Sequence, residues 1–267
     1  MRIEIAVDMQ YNLGRDTMVL LNIEAARIPG QTVLQDQLSV DFATITRVAG
    51  ESGLGQRVWA CVTNDQMWLT YRASVQIDRP CAALETLAAA APHELPGDVF
   101  TYLRPSRFCQ SDLFQNFAAQ RFGGLEGGRK VAAIRDWVAR EISYVPASSH
   151  AETTVLETFT ARTGVCRDFA HMVCALARAA QIPARYASVY GPDVSPQDFH
   201  AVAEVWLDGA WHMVDATGMG QPGDLVLIAV GRDAHDIAFM ETQTPAYLLN
   251  QQVRVSRLPD NDSPNGQ

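Results

Sequence analysis

Cys166 stands where the loop Arg162-Thr163-Gly164-Val165 runs into a stretch patterned as a helix, and that is a favourable place for a thiol nucleophile. The unpaired N–H groups and the dipole at a helix start favour thiolate over thiol. The Cys166 N–H belongs to the same unpaired set, so it can also receive a developing oxyanion. Cys174 falls within the same helical stretch and reads as a small buried apolar residue. A thiol also needs a base. The segment Phe199–Leu207 alternates as a strand, Asp208-Gly209 is the signature of a two-residue hairpin turn, and Ala210–Ala216 reads as the returning strand. In that register Leu207 faces Ala210, Trp206 faces Trp211 and Val202 faces Asp215. Asp215 is then the diagonal neighbour of His200 on one face, within reach of two side chains. His212 falls on the other face. The chemistry expected is nucleophilic attack by Cys166, with His200 as base and Asp215 orienting the imidazole.

The surrounding elements follow from periodicity. The clearest helix is Cys166–Gln181, with Phe169, Val173, Leu176 and Ala180 on one stripe and Pro183 beyond its end. Shorter helices are expected over Ser111–Gln120, Gly128–Ile142 and Thr153–Ala161. Strands are expected at Arg185–Tyr190, Phe199–Leu207, Ala210–Ala216 and Leu225–Val230. Residues 1–80 read as β throughout, with no cluster of acids, histidines or cysteines, and form a small sandwich-like domain. Alanine-rich Cys81–Ala91, followed by Pro92, Pro96 and Gly97, reads as a linker across 81–103. The domain holding the triad then spans 104–258. The polar tail 259–267 is expected to be disordered. The fold class is therefore α+β, helices on an antiparallel sheet, preceded by an all-β domain.

Composition narrows the functions. The 267 residues include 21 Lys+Arg against 30 Asp+Glu, a net charge of −9, which disfavours nucleic acid and anionic membranes as partners. Lys130 is the single lysine; arginine-biased coding explains this more simply than avoidance of amine acceptors. The first residues alternate like a strand and lack a signal-peptide pattern. No apolar run is long enough to span a membrane. Five cysteines without a Cys-x-x-Cys pair argue against a disulfide framework and for a reducing cytoplasm. Cys166 with His171, or His200 with His212, do not converge, so no metal and no cofactor is expected.

Four blocks in order carry a family resemblance: Gly164-Val165-Cys166-Arg167-Asp168-Phe169-Ala170-His171, Ile182-Pro183-Ala184-Arg185-Tyr186, Asp198-Phe199-His200-Ala201, and Trp211-His212-Met213-Val214-Asp215-Ala216-Thr217. Together with Gly231-Arg232-Asp233 and Asp236-Ile237, they resemble the bacterial transglutaminase-like core across about residues 105–245. The resemblance implies a papain-like fold with Cys166 as nucleophile, His200 as base and Asp215 as orienting acid. The family commonly has proline after the aspartate, where this chain has Ala216. The resemblance also implies acyl chemistry on a peptide or protein substrate: a cysteine peptidase or amidase, a cross-linking enzyme, or a non-catalytic module that keeps the fold. Asp168 is expected to be structural, placed to suit the helix dipole, and His171 to pack or hydrogen-bond. Arg185 and Tyr186 either brace the sheet or line the cleft.

Overall fold

The fold is described from a computed structural model, for residues 1–258. The expected disordered tail, 259–267, lies outside the described residues. The first six strands are β1 (Arg2–Asn12), β2 (Thr17–Leu21), β3 (Gln31–Val40), β4 (Ala43–Ala49), β5 (Gln56–Val62) and β6 (Gln66–Ile77). Then come α1 (Gly97–Phe100), α2 (Gln115–Phe122), α3 (Gly127–Glu141), β7 (Ser143–Tyr144), α4 (Val155–Ala161), β8 (Thr163–Gly164) and α5 (Cys166–Ala179). The chain closes with β9 (Ala184–Tyr190), β10 (His200–Leu207), β11 (Ala210–Val214), β12 (Val226–Gly231), β13 (Met240–Thr242) and β14 (Tyr247–Leu258).

Strict alternation builds the β domain. Ile3, Ile5, Val7 and Met9 of β1 point inward, as do Met67, Leu69, Tyr71, Ala73 and Val75 of β6. Two four-stranded sheets result, ordered β14-β1-β6-β3 and β13-β2-β5-β4, and their inward side chains join one core. The C-terminal strands correct the expected boundary at 104–258. Strand β14 pairs with β1 along its length, and β13 pairs with β2. The physical reason is edge closure: Val253 and Val255 supply the inward face needed beside Val7 and Ile5. The sandwich is thus built from both ends of the described chain, with the helix-and-sheet fold inserted between.

The segment expected as a linker is partly packed structure. Val99 and Tyr102 are buried, the Tyr102 ring meets Trp211 edge-on at 5.2 Å, and Gly128 donates its N–H to the Leu87 carbonyl at 2.8 Å.

Outside the sandwich a four-stranded antiparallel sheet, β11-β10-β9-β12, packs against α5. Helix α5 departs from the one-stripe expectation. Every residue from Asp168 to Arg178 is buried, because other helices, the sheet and the 231–237 loop enclose it on all sides. The far face of the sheet, with Val189, Val202, Met213 and Leu227, packs against Ala26 from the sandwich. Gln31 fastens this junction: its amide oxygen accepts the Leu227 N–H at 2.7 Å and its amide nitrogen donates to the Leu227 carbonyl at 2.9 Å.

Candidate active site

Three local devices place Cys166, His200 and Asp215. The first is the start of α5. Asp168 reaches back so that its Oδ2 accepts the Val165 N–H at 2.8 Å, satisfying one donor of the preceding turn. A Cβ at Gly164 would come within 2.7 Å of the Asp168 Cβ, so the glycine is required by the packing of this cap. Arg167 donates to Asp168 at 3.3 Å, to Ser149 Oγ at 3.4 Å and to the His150 carbonyl. Cys166, the first residue of the helix, is left half-buried. Asp168 is 1% exposed and structural, as expected. Short strand β8 pairs in parallel with β7, setting Tyr144 opposite Gly164. There the Tyr144 phenol is pushed up by burial and by the Cys166 sulfur, against the opposing pull of the Cys166 N–H.

The second device is the hairpin. The register is the one read from Asp208-Gly209: Leu207 pairs with Ala210, Trp206 with Trp211 and Ala203 with Val214. Asp208 and Gly209 have φ of 46° and 74°, as a type I′ turn requires. His212 pairs with Val205, out of phase with His200, and its Nε2 meets the Leu207 carbonyl at 3.1 Å. His200 Nε2 lies 2.8 Å from Asp215 Oδ2, each side chain 1% exposed.

The third device was not read from the sequence. Strand pairing stops at Val214, so Asp215 is held by a turn and not by the ladder. Its Oδ1 accepts the Thr217 N–H at 2.8 Å and the Thr217 hydroxyl at 2.7 Å, and its Oδ2 accepts the Gly220 N–H at 2.8 Å. The Asp-x-Thr spacing, which favours such a turn, was the available signal. These bonds and His200 hold the Asp215 carboxyl below its usual range although burial works the other way. Burial likewise disfavours charge on His200, but the bonds to Asp215 and to the Cys166 sulfur outweigh it and raise the imidazole to about 9. Asp215 occupies Nε2, and the other ring nitrogen, Nδ1, is buried without a hydrogen-bond partner.

The motif residues beyond the triad build the walls of the cleft. His171 is buried, and burial followed by nearby Arg167 and Arg178 depresses its affinity for a proton. It stays neutral, and its Nε2 accepts the Ala234 N–H at 3.1 Å. Asp233 accepts the Phe108 N–H at 2.8 Å and the His235 N–H at 2.9 Å. Arg232 pairs with Asp236 at 2.9 Å. Together these bonds fix Phe108, Ala234 and His235 around a cavity of about 620 Å³ that opens onto Cys166. Tyr186 lines the same cavity, with its ring 5.0 Å from His171. Arg185 braces the sheet: it pairs with Glu204 at 2.7 Å, both about 6% exposed, with its guanidinium 4.1 Å over Trp211.

Buried Arg178, which sequence reasoning also missed, donates to the carbonyls of Ala184, Arg104 and Arg232 and to Ser106 Oγ, tying α5 to three connections. Among the described residues no cluster of three metal-ligating side chains occurs, and no helix is long and apolar enough to cross a membrane.

Known proteins share this architecture. The sequence profile of the transglutaminase-like superfamily matches residues 117–216, which include Cys166, His200 and Asp215. A crystal structure from Cytophaga hutchinsonii, of a protein proposed to be a cysteine protease, superposes with a TM-score of 0.89 at 35% identity over 99% of this chain and 93% of that one. Rv2569c, an uncharacterised protein of Mycobacterium tuberculosis, is 27% identical over 239 residues, 78% of this chain and 75% of its own length. ML0607 of Mycobacterium leprae, also uncharacterised, is 28% identical over 122 residues, which span 43% of that protein. On the profile match, and on a likeness to the Cytophaga protein that runs through sandwich and catalytic core alike, the chain belongs to the transglutaminase-like family.

Proposed function

We propose that the protein is a thiol-dependent acyl-transfer enzyme, a cysteine peptidase or amidase that cleaves a peptide or glutamine-like amide through a thioester. The observation that carries this reading is buried His200, bonded to Asp215 with the Cys166 sulfur near enough to favour its charged form. In the first half-reaction the Cys166 sulfur attacks the amide carbon while His200 holds the thiol proton. The carbonyl oxygen is received by the Cys166 N–H beside the Tyr144 phenol. The C–N bond then breaks, and His200 delivers its proton to the departing amine. In the second, His200 takes a proton from water, the hydroxide adds to the thioester, and the carboxylate leaves with the thiol restored. Asp215 keeps the imidazole oriented throughout.

The substrate of this chemistry is a peptide or protein, and a reducing cytoplasm suits five cysteines that all stand free. The test is Cys166→Ala. Amidase turnover and accumulation of a thioester should both be abolished, with the fold unchanged by circular dichroism. Turnover surviving at the wild-type rate would remove Cys166 from the chemistry. Adding a primary amine to the wild-type reaction distinguishes the outcomes, since hydrolysis leaves a carboxylate and transfer leaves a new amide.

A further inference from the structure

The β-sandwich does more than precede the catalytic fold. Its strands β1, β13 and β14 send Met9, Tyr11, Met240, Glu241 and Gln251 into the cavity at Cys166. The opposite wall comes from Phe108, Tyr186 and the 234–239 loop of the catalytic half. Past His235 and Glu241 a second cavity of about 560 Å³ adjoins the first, since both side chains line each. Its remaining lining again mixes the halves: Val48, Arg57 and Trp59 from the sandwich, Arg232 and Asp236 from the catalytic side. Toward the other end Tyr11 pairs with Leu248, and Tyr247, Leu248 and Leu249 stand exposed beside it. The cavity at Cys166 thus has an apolar stretch of lining at Met9 and Tyr11, and the adjoining one is charged at Arg57, Arg232 and Asp236.

From this arrangement we infer that the sandwich is the substrate-recognition half of the site. The groove between the halves takes an internal stretch of an extended polypeptide, with apolar side chains toward Met9 and Tyr11 and polar ones toward Glu241 and Arg57. Volume argues for a polymer: either cavity alone falls within the roughly 300–1,000 Å³ typical of a small-molecule site, and here two adjoin. Continuity argues for an internal stretch, because the cavity at Cys166 runs on into a second one past His235 and Glu241. An exposed apolar patch commonly marks an interaction site, and Tyr247–Leu249 stands beside Tyr11 of this lining. The inference rests on the acyl-transfer reading above, and its test separates the two.

The probe is a pool of peptides from a digested proteome, incubated with the full chain and read by mass spectrometry. Alkylation of Cys166 by iodoacetamide, which needs no groove, is measured in parallel. The expected result is acyl chemistry at internal positions, with apolar residues enriched on one side of the reacting residue. Tyr11→Ala should weaken that enrichment and raise KM by about tenfold, with little change in kcat. Glu241→Ala should alter preference on the other side alone, and in both variants Cys166 alkylation should match wild type. Turnover confined to terminal residues or small amides would overturn the inference and leave the acyl-transfer reading standing. So would unchanged preference in both variants. Absence of any peptide turnover counts against the inference as well, and if Cys166 is also unreactive to iodoacetamide the acyl-transfer reading falls with it.

Discussion

The two halves of the molecule are stabilised differently. In the sandwich, apolar side chains alternate inward, and ion pairs such as Arg72–Asp8 and Arg27–Asp36 sit at the surface. In the catalytic half, charge goes inside: Arg185 with Glu204, Arg178 on three carbonyls, Asp168 on the turn before Cys166, and His200 with Asp215. A sandwich core of alternating apolar residues tolerates substitutions of similar shape. A buried charged network does not, because removing one partner leaves the other desolvated and unpaired. The contrast teaches that the catalytic half gives up tolerance to fix a few atoms in place, while the sandwich closes its own sheets and presents a wall to the cleft.

The comparison can be broken most severely at Glu204. Glu204→Ala should cost about 3–5 kcal/mol, because Arg185 would remain buried without its carboxylate. Urea denaturation measures this, and a loss below about 1 kcal/mol would show that the pair is solvated after all. A somewhat smaller effect is expected from pH. His200 is raised from 6.5 to about 9 in the fold, so its contribution is complete below 6.5 and disappears as pH rises through 9. The loss should reach about 3 kcal/mol across that window and vanish in His200→Ala. Asp215 is held low, so its contribution is present above its ordinary 3.8 and disappears on acidification through its folded value. Melting temperatures from about pH 2 to about pH 10, a range that brackets both transitions, read both limbs. The smallest effect belongs to the sandwich surface. Asp8→Ala removes an exposed partner of Arg72 and should cost less than about 1 kcal/mol in the same denaturation.

How far the sequence could be read follows the same division. The placement of Cys166, His200 and Asp215 was legible because each lies in a strong local pattern: a glycine-led helix start for Cys166, and an Asp-Gly hairpin whose register relates His200 to Asp215. The β character of residues 1–80 was legible from alternation. Strand β14 was not assigned to the sandwich because its partner, β1, lies at the other end of the chain, and alternation says nothing about which strand pairs with which. Arg178 and Glu204 were missed for a related reason. Their partners come from separate elements, so no local spacing marks them as buried. Thr217 and Gly220 could have been noticed, since they form a local turn around Asp215.

The central claim is that His200 makes the Cys166 sulfur the reactive one among five thiols. Cys109 and Cys174 are buried, and burial pushes Cys174 up to about 12 and Cys109 well above its ordinary value, so neither competes. Exposed Cys61 and Cys81 serve as internal standards within the same molecule. The decisive measurement is the iodoacetamide rate at each cysteine, resolved by peptide mass spectrometry at neutral pH, in wild type and in His200→Ala. The account predicts that Cys166 reacts at least about tenfold faster than Cys61 and Cys81 in wild type, and that this advantage disappears in the variant. Equal rates at Cys166 in the two proteins, or a wild-type Cys166 no faster than the exposed standards, would contradict it.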